Sequence, residues 1–471
     1  MKNIFLSYSW ANSEDAERLD MAFSPAGITL KRDIREIAYR DSIKTYMQTI
    51  TEADYAILLI SDAFLKSANC MYEVLQVFKE QAFQVKILPV LVDGIRIFSP
   101  LEKLSYINFW LEKHTVLKKQ LEGIEIESVW ELHEELKHYQ SICDNLDGFF
   151  ATVTDMSLET IKSLISKDFR PLLDHLGLTH DKFVQRILTV SRLKDFEQRE
   201  IELDQLETDY PKTAQIAFVK GALAFDLQQH RKSSYYYQRA IELNPKFAPS
   251  YYNLAYNVDC YDGDYDLAIE LYQQAMLMDP QNPRAPNNLA RLYSQELGNP
   301  EKARELYEQA LAIDPYDADC NFNLASLIYK YFDDFDTAAK LFEISIEIEP
   351  SATTYQNYGL LVRYKLGKVD EAKLLFEKGL ALDPNNKIIV KLLALIYEED
   401  LKDFNKAKFY FDQWVTLEPE AIDHYQYMLF LLQSMKEQYW PLASHHYQLA
   451  CEQDSSLKNL QIEEIIAGRF R

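Results

Sequence analysis

One carboxylate is conspicuous by its placement. The stretch SANCMYEV, residues 67–74, follows the apolar run YAILLIS (55–61), and Glu73 falls in what the pattern predicts to be the first turn of a helix over 70–81. A carboxylate there stays ionised, because the positive end of the helix dipole favours the anion. It is either a partner for that dipole or an acid placed to act on a bound molecule. Cys70 has nothing basic near it in sequence to depress its pKa, so it reads as a small buried residue rather than a nucleophile. Arg35 and Arg40, in the segment RDIREIAYRD (32–41), either neutralise phosphates or simply sit exposed. A second set is spaced along the chain: Asn253, Asn288, Asn323 and Asn357 recur 35, 35 and 34 residues apart. A side-chain amide both donates and accepts, so a ladder of them can pair with the backbone of an extended peptide, or can join neighbouring helices. His445–His446 has no further ligand at a suitable spacing; no metal is expected, and the pair reads as surface.

The elements that must position these groups follow two grammars. Over the first ~110 residues, strand-like runs alternate with helix-like ones: NIFLSYS (3–9), a helix over 13–27, ITLKRD (28–33), a helix over 42–53, DYAILLIS (54–61), the helix over 70–81 and VKILPVLVDG (85–94). Such alternation implies an α/β domain with a parallel sheet covered on both faces, in which ligands bind at the carboxyl ends of the strands. Ser7 and Trp10 lie at one such end, where Trp10 either contacts a ligand or packs at the surface. Asp33, Arg35 and Arg40 lie in the loop after the second strand, and Cys70 and Glu73 follow the third.

From about 181 the chain repeats. Pro245, Pro280, Pro315, Pro350, Pro384 and Pro419 are 35, 35, 35, 34 and 35 residues apart. Twelve residues before each lies Ser233, Ala268, Ala303, Ala338, Ala372 or Ala407. Five before each lies Ala240, Ala275, Ala310, Ser345 or Gly379, with Trp414 the exception. An aromatic falls between the two every time, from Tyr237 to Phe411. Small residues let paired helices approach, the aromatic fills the groove between them, and proline stops the second helix. A seventh copy carries Ala443, Tyr447 and Ala450. This all-α array resembles the tetratricopeptide repeat (TPR). The resemblance implies seven helical hairpins over 212–455 stacked as a superhelical solenoid, capped by helices over 181–211 and 456–471. It places the four asparagines on first helices facing an inner groove, a site for a protein or peptide ligand.

The N-terminal pieces FLSYSW, RDIREIAYRDSI and ADYAILLISDAFLKSANCMYEV, in that order, resemble a bacterial-type Toll/interleukin-1 receptor (TIR) domain over 1–125, with a flavodoxin-like parallel sheet. A helical connector over 126–180 separates it from the repeats. In TIR domains that cleave NAD+, the glutamate of S-x-x-C-x-x-E is catalytic, which assigns Glu73. The resemblance makes the 33–43 loop the family's BB loop, which shapes the pocket and contacts a neighbouring TIR domain. Ser7, Trp10, Asp33, Arg35, Arg40 and Cys70 are then the expected substrate-binding residues. Two positions depart from the family pattern: Asn69 replaces the tryptophan common before the cysteine, and 33–43 contains no glycine. Stacking on the nucleotide then falls to Trp10 or Tyr72. The chemistry suits one acid: nicotinamide leaves neutral from a cationic nitrogen, so departure needs no general acid, and a single carboxylate stabilises the oxocarbenium-like sugar. NAD+ is a substrate here, and no cofactor is expected. TIR–TPR proteins of this kind imply self-association through TIR domains and a role in bacterial antiphage immunity. The alternative is a non-enzymatic TIR/TPR scaffold.

Composition sets outer bounds. A chain of 471 residues has room for two or three cored domains. Five cysteines, with no CxxC pair, argue against a disulfide framework and a zinc site, and for a reducing cytoplasm. The start MKNIFLSYSW does not read as a signal peptide, and no apolar run approaches the ~20 residues of a membrane span. A net charge of −23 disfavours nucleic acid and anionic membranes as partners, and suggests a protein partner with basic patches.

Overall fold

The computed structural model describes residues 4–9, 12–28, 30–32, 53–78, 86–122, 124, 129–156, 158–167, 169–178, 181–417, 419–435 and 437–469. The chain divides into two compact units, Met1–Tyr316 and Asp317–Arg471.

The first unit opens with β1 (Ile4–Tyr8), α1 (Ser13–Phe23) and a 3-10 turn at Ser24–Ala26. Next come β2 (Leu30–Arg32), β3 (Tyr55–Ile60), α2 (Asp62–Lys66), α3 (Ala68–Phe78), β4 (Ile87–Leu91), α4 (Pro100–Leu121), α5 (Trp130–Asp155) and β5 (Glu159–Thr160). The expected helix over 42–53 lies almost wholly outside the described residues. All pairings are parallel, in the order β2-β1-β3-β4-β5. The order reverses between β1 and β3, so their carboxyl ends form the switch point at which such sheets bind ligands. Strand β3 is apolar throughout because it is covered on both faces. Pro89 is tolerated within β4 because the Val92 N–H donates to Ile60 O, 2.9 Å, and two-residue alternation turns position 89 away from β3.

The segment expected as a connector does more than connect. Ile142, Leu146, Phe149, Phe150 and Val153 of α5 recur at helical spacing and are buried in one core with Phe5, Leu58, Ile60, Met71 and Val74. The strand β5, unforeseen from the sequence, completes the sheet edge beside Val90 and Leu91. Short helices α6 (Ile161–Ser166) and α7 (Arg170–His175) follow. Two helices, α8 (Lys182–Ser191) and α9 (Phe196–Asp209), then occupy the stretch expected to hold one cap. Asp204 and Glu207 of α9 both hold the buried Lys220 of the next helix.

The repeats of this unit pair α10 (Ala214–Asp226) with α11 (His230–Leu243), α12 (Ala248–Asn257) with α13 (Tyr265–Met278), and α14 (Arg284–Gln295) with α15 (Pro300–Ile313). A Cβ on Gly221 of α10 would stand 2.7 Å from the Tyr237 ring, so the aromatic of the second helix sits on the small residue of the first. Buried Asp259, after α12, accepts from Tyr272 and pairs with Arg291 of the next repeat.

The second unit pairs α16 (Ala318–Tyr331) with α17 (Phe335–Ile348), α18 (Ala352–Tyr364) with α19 (Val369–Leu382), α20 (Lys387–Leu395) with α21 (Phe404–Trp414), and α22 (Ala421–Ser434) with α23 (Trp440–Gln453). The helix α24 (Leu460–Arg469) caps it by burying Ile462. Gly359 repeats the Gly221 device, since a Cβ there would overlap the Phe376 ring. Arg363, 3% exposed at its side chain, bridges to Glu399 and Asp400 of the following repeat, 2.7 Å each.

His446 corrects the expectation of a surface pair. His445 is exposed, but His446 is buried with its Nδ1 3.0 Å from Nδ1 of buried His424. Burial, reinforced by His424 and His445, pushes His446 down to about 4, and burial also lowers His424. The unfolded chain therefore binds more protons than the folded one between about 6.5 and about 4. Stability from this pair is complete above pH 6.5 and declines below it, by up to about 1.4 kcal/mol per pH unit per group. Denaturant midpoints measured from pH 7.5 to 5 are expected to fall more steeply for the native chain than for His446→Gln. Parallel slopes would contradict the assignment.

No helix among the described residues is long and apolar enough to cross a membrane. All five cysteines are free thiols.

Candidate functional site

The site is built where β3 ends. Ser61 stops the strand in extended backbone and caps α2, its Oγ accepting from the Phe64 N–H at 2.9 Å. After one turn Ser67 does the same for α3: its Oγ accepts from the Cys70 N–H at 3.3 Å, and its carbonyl accepts from the Met71 N–H at 3.0 Å. The S-x-x-C spacing is thus a capping spacing, with serine before the helix and cysteine three residues on. The helix consequently begins at Ala68, and Glu73 is its sixth residue, in the second turn. That corrects the first-turn expectation, and the helix dipole acts on Glu73 less than the sequence suggested. The Glu73 side chain lies outside the described residues.

The backbone that carries Glu73 is firmly held. Met71, Val74 and Leu75 are buried against the sheet. Trp110 Nε1 donates to Leu65 O at 2.9 Å, and the Tyr106 hydroxyl donates to Asp62 Oδ1 at 3.0 Å, so α4 pins α2 at two points. Lys66 also reaches Asp62, 2.9 Å away. Burial and the bond to Asp62 push the Tyr106 phenol well above its ordinary range, which keeps it a donor. From α5, His138 stacks on Tyr72 with centroids 3.7 Å apart, and burial lowers its pKa, favouring the neutral imidazole. One face of Tyr72 is therefore occupied, which weakens its claim to stack on a nucleotide.

Ser7 is buried in β1 opposite Leu58, on the sheet face that α3 and α5 cover. Cys70 is half-buried against the same core, in keeping with a packing role. Trp10, Asp33, Arg35 and Arg40 lie outside the described residues. At the carboxyl ends of β3 and β4 a cleft of about 700 Å³ opens between Asn12, Ser61, Asp62, Asp93, Arg96 and Tyr106. Among the described residues, neither Ser7 nor Cys70 lines it; Asn12, Asp62 and Arg96, which do, carry no repeat or motif signal.

The four asparagines fall on first helices: Asn253 on α12, Asn288 on α14, Asn323 on α16 and Asn357 on α18, each half-buried. The Asn288 amide donates to the Tyr252 hydroxyl one repeat earlier, 2.9 Å away, so at that rung it joins adjacent helices. In the first unit Asn253 and Tyr252 line a cavity of about 420 Å³ together with Met21, Pro25, Phe225 and Ala285.

Comparison with known proteins agrees with this architecture. A family model described as TIR domain matches residues 4–122. Models described as tetratricopeptide repeat match 247–315, and 352–386 with 392–420. No curated protein matches the chain. Among solved structures, a tetratricopeptide repeat protein from Parabacteroides merdae is similar at 19% identity, covering 55% of this chain and 99% of its own, with a TM-score of 0.39. The C-terminal part of a TPR repeat-containing protein from Cytophaga hutchinsonii is similar at 15% identity, covering 49% and 93%, with a TM-score of 0.40. YrrB, a TPR protein described as having an unusual peptide-binding site, is similar at 17% identity, covering 40% and 95%, with a TM-score of 0.34. The parallel sheet with its capped S-x-x-C-x-x-E helix and the helix pairs that follow are accordingly an N-terminal TIR domain, residues 4–122, joined to an array of tetratricopeptide repeats.

Proposed function

We propose that this TIR domain cleaves NAD+, with Glu73 as its catalytic residue, and that the repeats govern the activity by binding a protein or peptide. The observation that carries this reading is the S-x-x-C-x-x-E order on the segment that follows the buried strand β3, with Ser67 capping α3 and Cys70 and Glu73 in the first two turns of that helix. In the reaction the C1′–N bond breaks and its electron pair leaves with nicotinamide, which becomes neutral. Water bonds to C1′ and releases its proton, giving ADP-ribose; attack by the adenine of the same molecule gives a cyclic product instead. Glu73 holds the ribose hydroxyls and stabilises the cationic sugar. The firm seating of α3 supports such a role, since a catalytic carboxylate must be held in place. Substrate contacts are assigned to Ser7, Trp10, Asp33, Arg35, Arg40 and Cys70, and no cofactor takes part.

Assembly of TIR domains completes the pocket in this reading, with NAD+ depletion or a cyclic signal serving antiphage defence in the cytoplasm. The net charge of −23 supports a chain that avoids nucleic acid and anionic membranes. The second reading, a scaffold without catalysis, draws on Asn69 and on the Tyr72 ring already stacked on His138. The two differ in one assay: NAD+ consumption per molecule as protein concentration or crowding rises. A rate per molecule that climbs with assembly is expected, whereas an inert chain at every concentration would leave the scaffold.

A further inference from the structure

The first helices of the N-terminal repeats already hold an occupant, and it comes from the same chain. The Ser24–Ala26 turn that follows helix α1 in the TIR domain packs against α8 and α10. Phe23 meets Phe169 edge-on, centroids 5.3 Å apart, and Arg192 lies over the Phe169 ring at 4.3 Å. Arg192 Nη2 also donates to Ala22 O at 3.3 Å. At the start of α14, Arg284 pairs with Glu17 and lies 3.3 Å from Met21 Sδ. Between them remains the 420 Å³ cavity, walled by Met21 and Pro25 on one side and by Phe225, Tyr252, Asn253 and Ala285 on the other. Three repeats, through α10, α12 and α14, therefore line one cavity with the end of the acidic helix α1 and the turn after it.

The chemistry of that surface runs against the charge of the whole. The chain carries −23, yet two arginines here reach α1, one through a carboxylate and one through a backbone carbonyl. We infer that this face of the first three repeats is a docking site for a segment that sets a carboxylate beside an apolar side chain. Glu17 and Met21 of α1, four residues apart on one helix face, are its resident example. An external ligand of the same acidic and apolar chemistry competes with α1 by placing its carboxylate on Arg284 and its apolar side chain in the cavity beside Tyr252. The ligand proposed for this end of the array is acidic, opposite in charge to the basic partner that the net charge of the whole chain suggests. Because both occupants use one surface, ligand binding and release of α1 are linked, and the linkage is reciprocal. The inference rests on the reading that the repeats bind a peptide, but its test requires no NAD+ turnover.

The probe is a fluorescent peptide of residues 13–26, titrated into the full chain as native, Glu17→Arg, Arg284→Glu and the double charge swap. Glu17→Arg loosens the resident helix while leaving Arg284 in place, so it is expected to bind the peptide about tenfold or more tightly than the native chain. Arg284→Glu and the double swap lack the receiving arginine and gain nothing. In parallel, hydrogen exchange at α1 should quicken in both single variants and in Met21→Ala, and return to the native rate in the double swap. Unchanged exchange at β3 is the control for folding. Equal peptide affinity across the four chains, or a double swap that fails to restore protection, overturns the proposal.

Discussion

Replacing Glu73 with glutamine is expected to lower NAD+ cleavage by about a hundred- to a thousandfold without lowering stability. Glutamine keeps the size and the hydrogen-bonding reach of the side chain but removes its charge. What disappears is the attraction to the positive sugar, which is greatest in the transition state, so the loss falls on kcat more than on substrate binding. The fold should not respond. Helix α3 is set by the Ser67 cap and by Met71, Val74 and Leu75 in the core, none of which depends on residue 73. Chromatography of released nicotinamide, with thermal unfolding as a control, separates the two effects. A variant that unfolds earlier would show that Glu73 is structural, and an active variant would remove it from the chemistry.

The second large effect concerns the repeat that breaks its own rule. Where other repeats place Ala240, Ala275, Ala310, Ser345 or Gly379, the sixth has Trp414. Repeat consensus alone suggests that Trp414→Ala is harmless or stabilising. The structure predicts the opposite. Trp414 is 1% exposed in a core with Phe411, Tyr427 and Phe430, and Lys391 caps its ring from 4.6 Å. Helix α21 ends at this residue after eleven residues, against fourteen in α19 and α23, so the neighbouring helices are already arranged around the indole. Truncation leaves a cavity that they cannot close, and a loss of about 3–5 kcal/mol is expected. Denaturant unfolding of the full chain, followed by fluorescence and by exchange at α22, measures it. A loss under about 1 kcal/mol would mean that the sixth repeat relaxes to the spacing of the others.

These cases mark what the sequence made legible. The strands β3 and β4 were readable because a doubly covered parallel strand is continuously apolar, and β1 because Ser7 alone interrupts its apolar run. The repeats were readable because proline, small residue and aromatic recur in fixed register. The start of α3 was misread because the serine that caps it resembles any loop serine; the S-x-x-C spacing carried the capping signal all the same. Strand β5 left no trace, since two residues cannot show a period. His446 was legible in retrospect: with Ala443, Tyr447 and Ala450 it forms the i, i+3, i+4, i+7 stripe of a buried face. The Glu17–Arg284 pair spans more than 260 residues, and no local pattern announces a contact that tertiary packing alone creates.

Turnover of NAD+ through Glu73 is the step on which the proposed function of this chain depends. The most direct measurement follows nicotinamide release by the native chain and by Glu73→Gln, each dilute and each clustered on a bead surface at equal loading. The native chain is predicted to release nicotinamide, faster per molecule when clustered, while Glu73→Gln stays at background in both states. A native chain that remains inert when clustered, or a Glu73→Gln chain that keeps pace with it, would contradict the account.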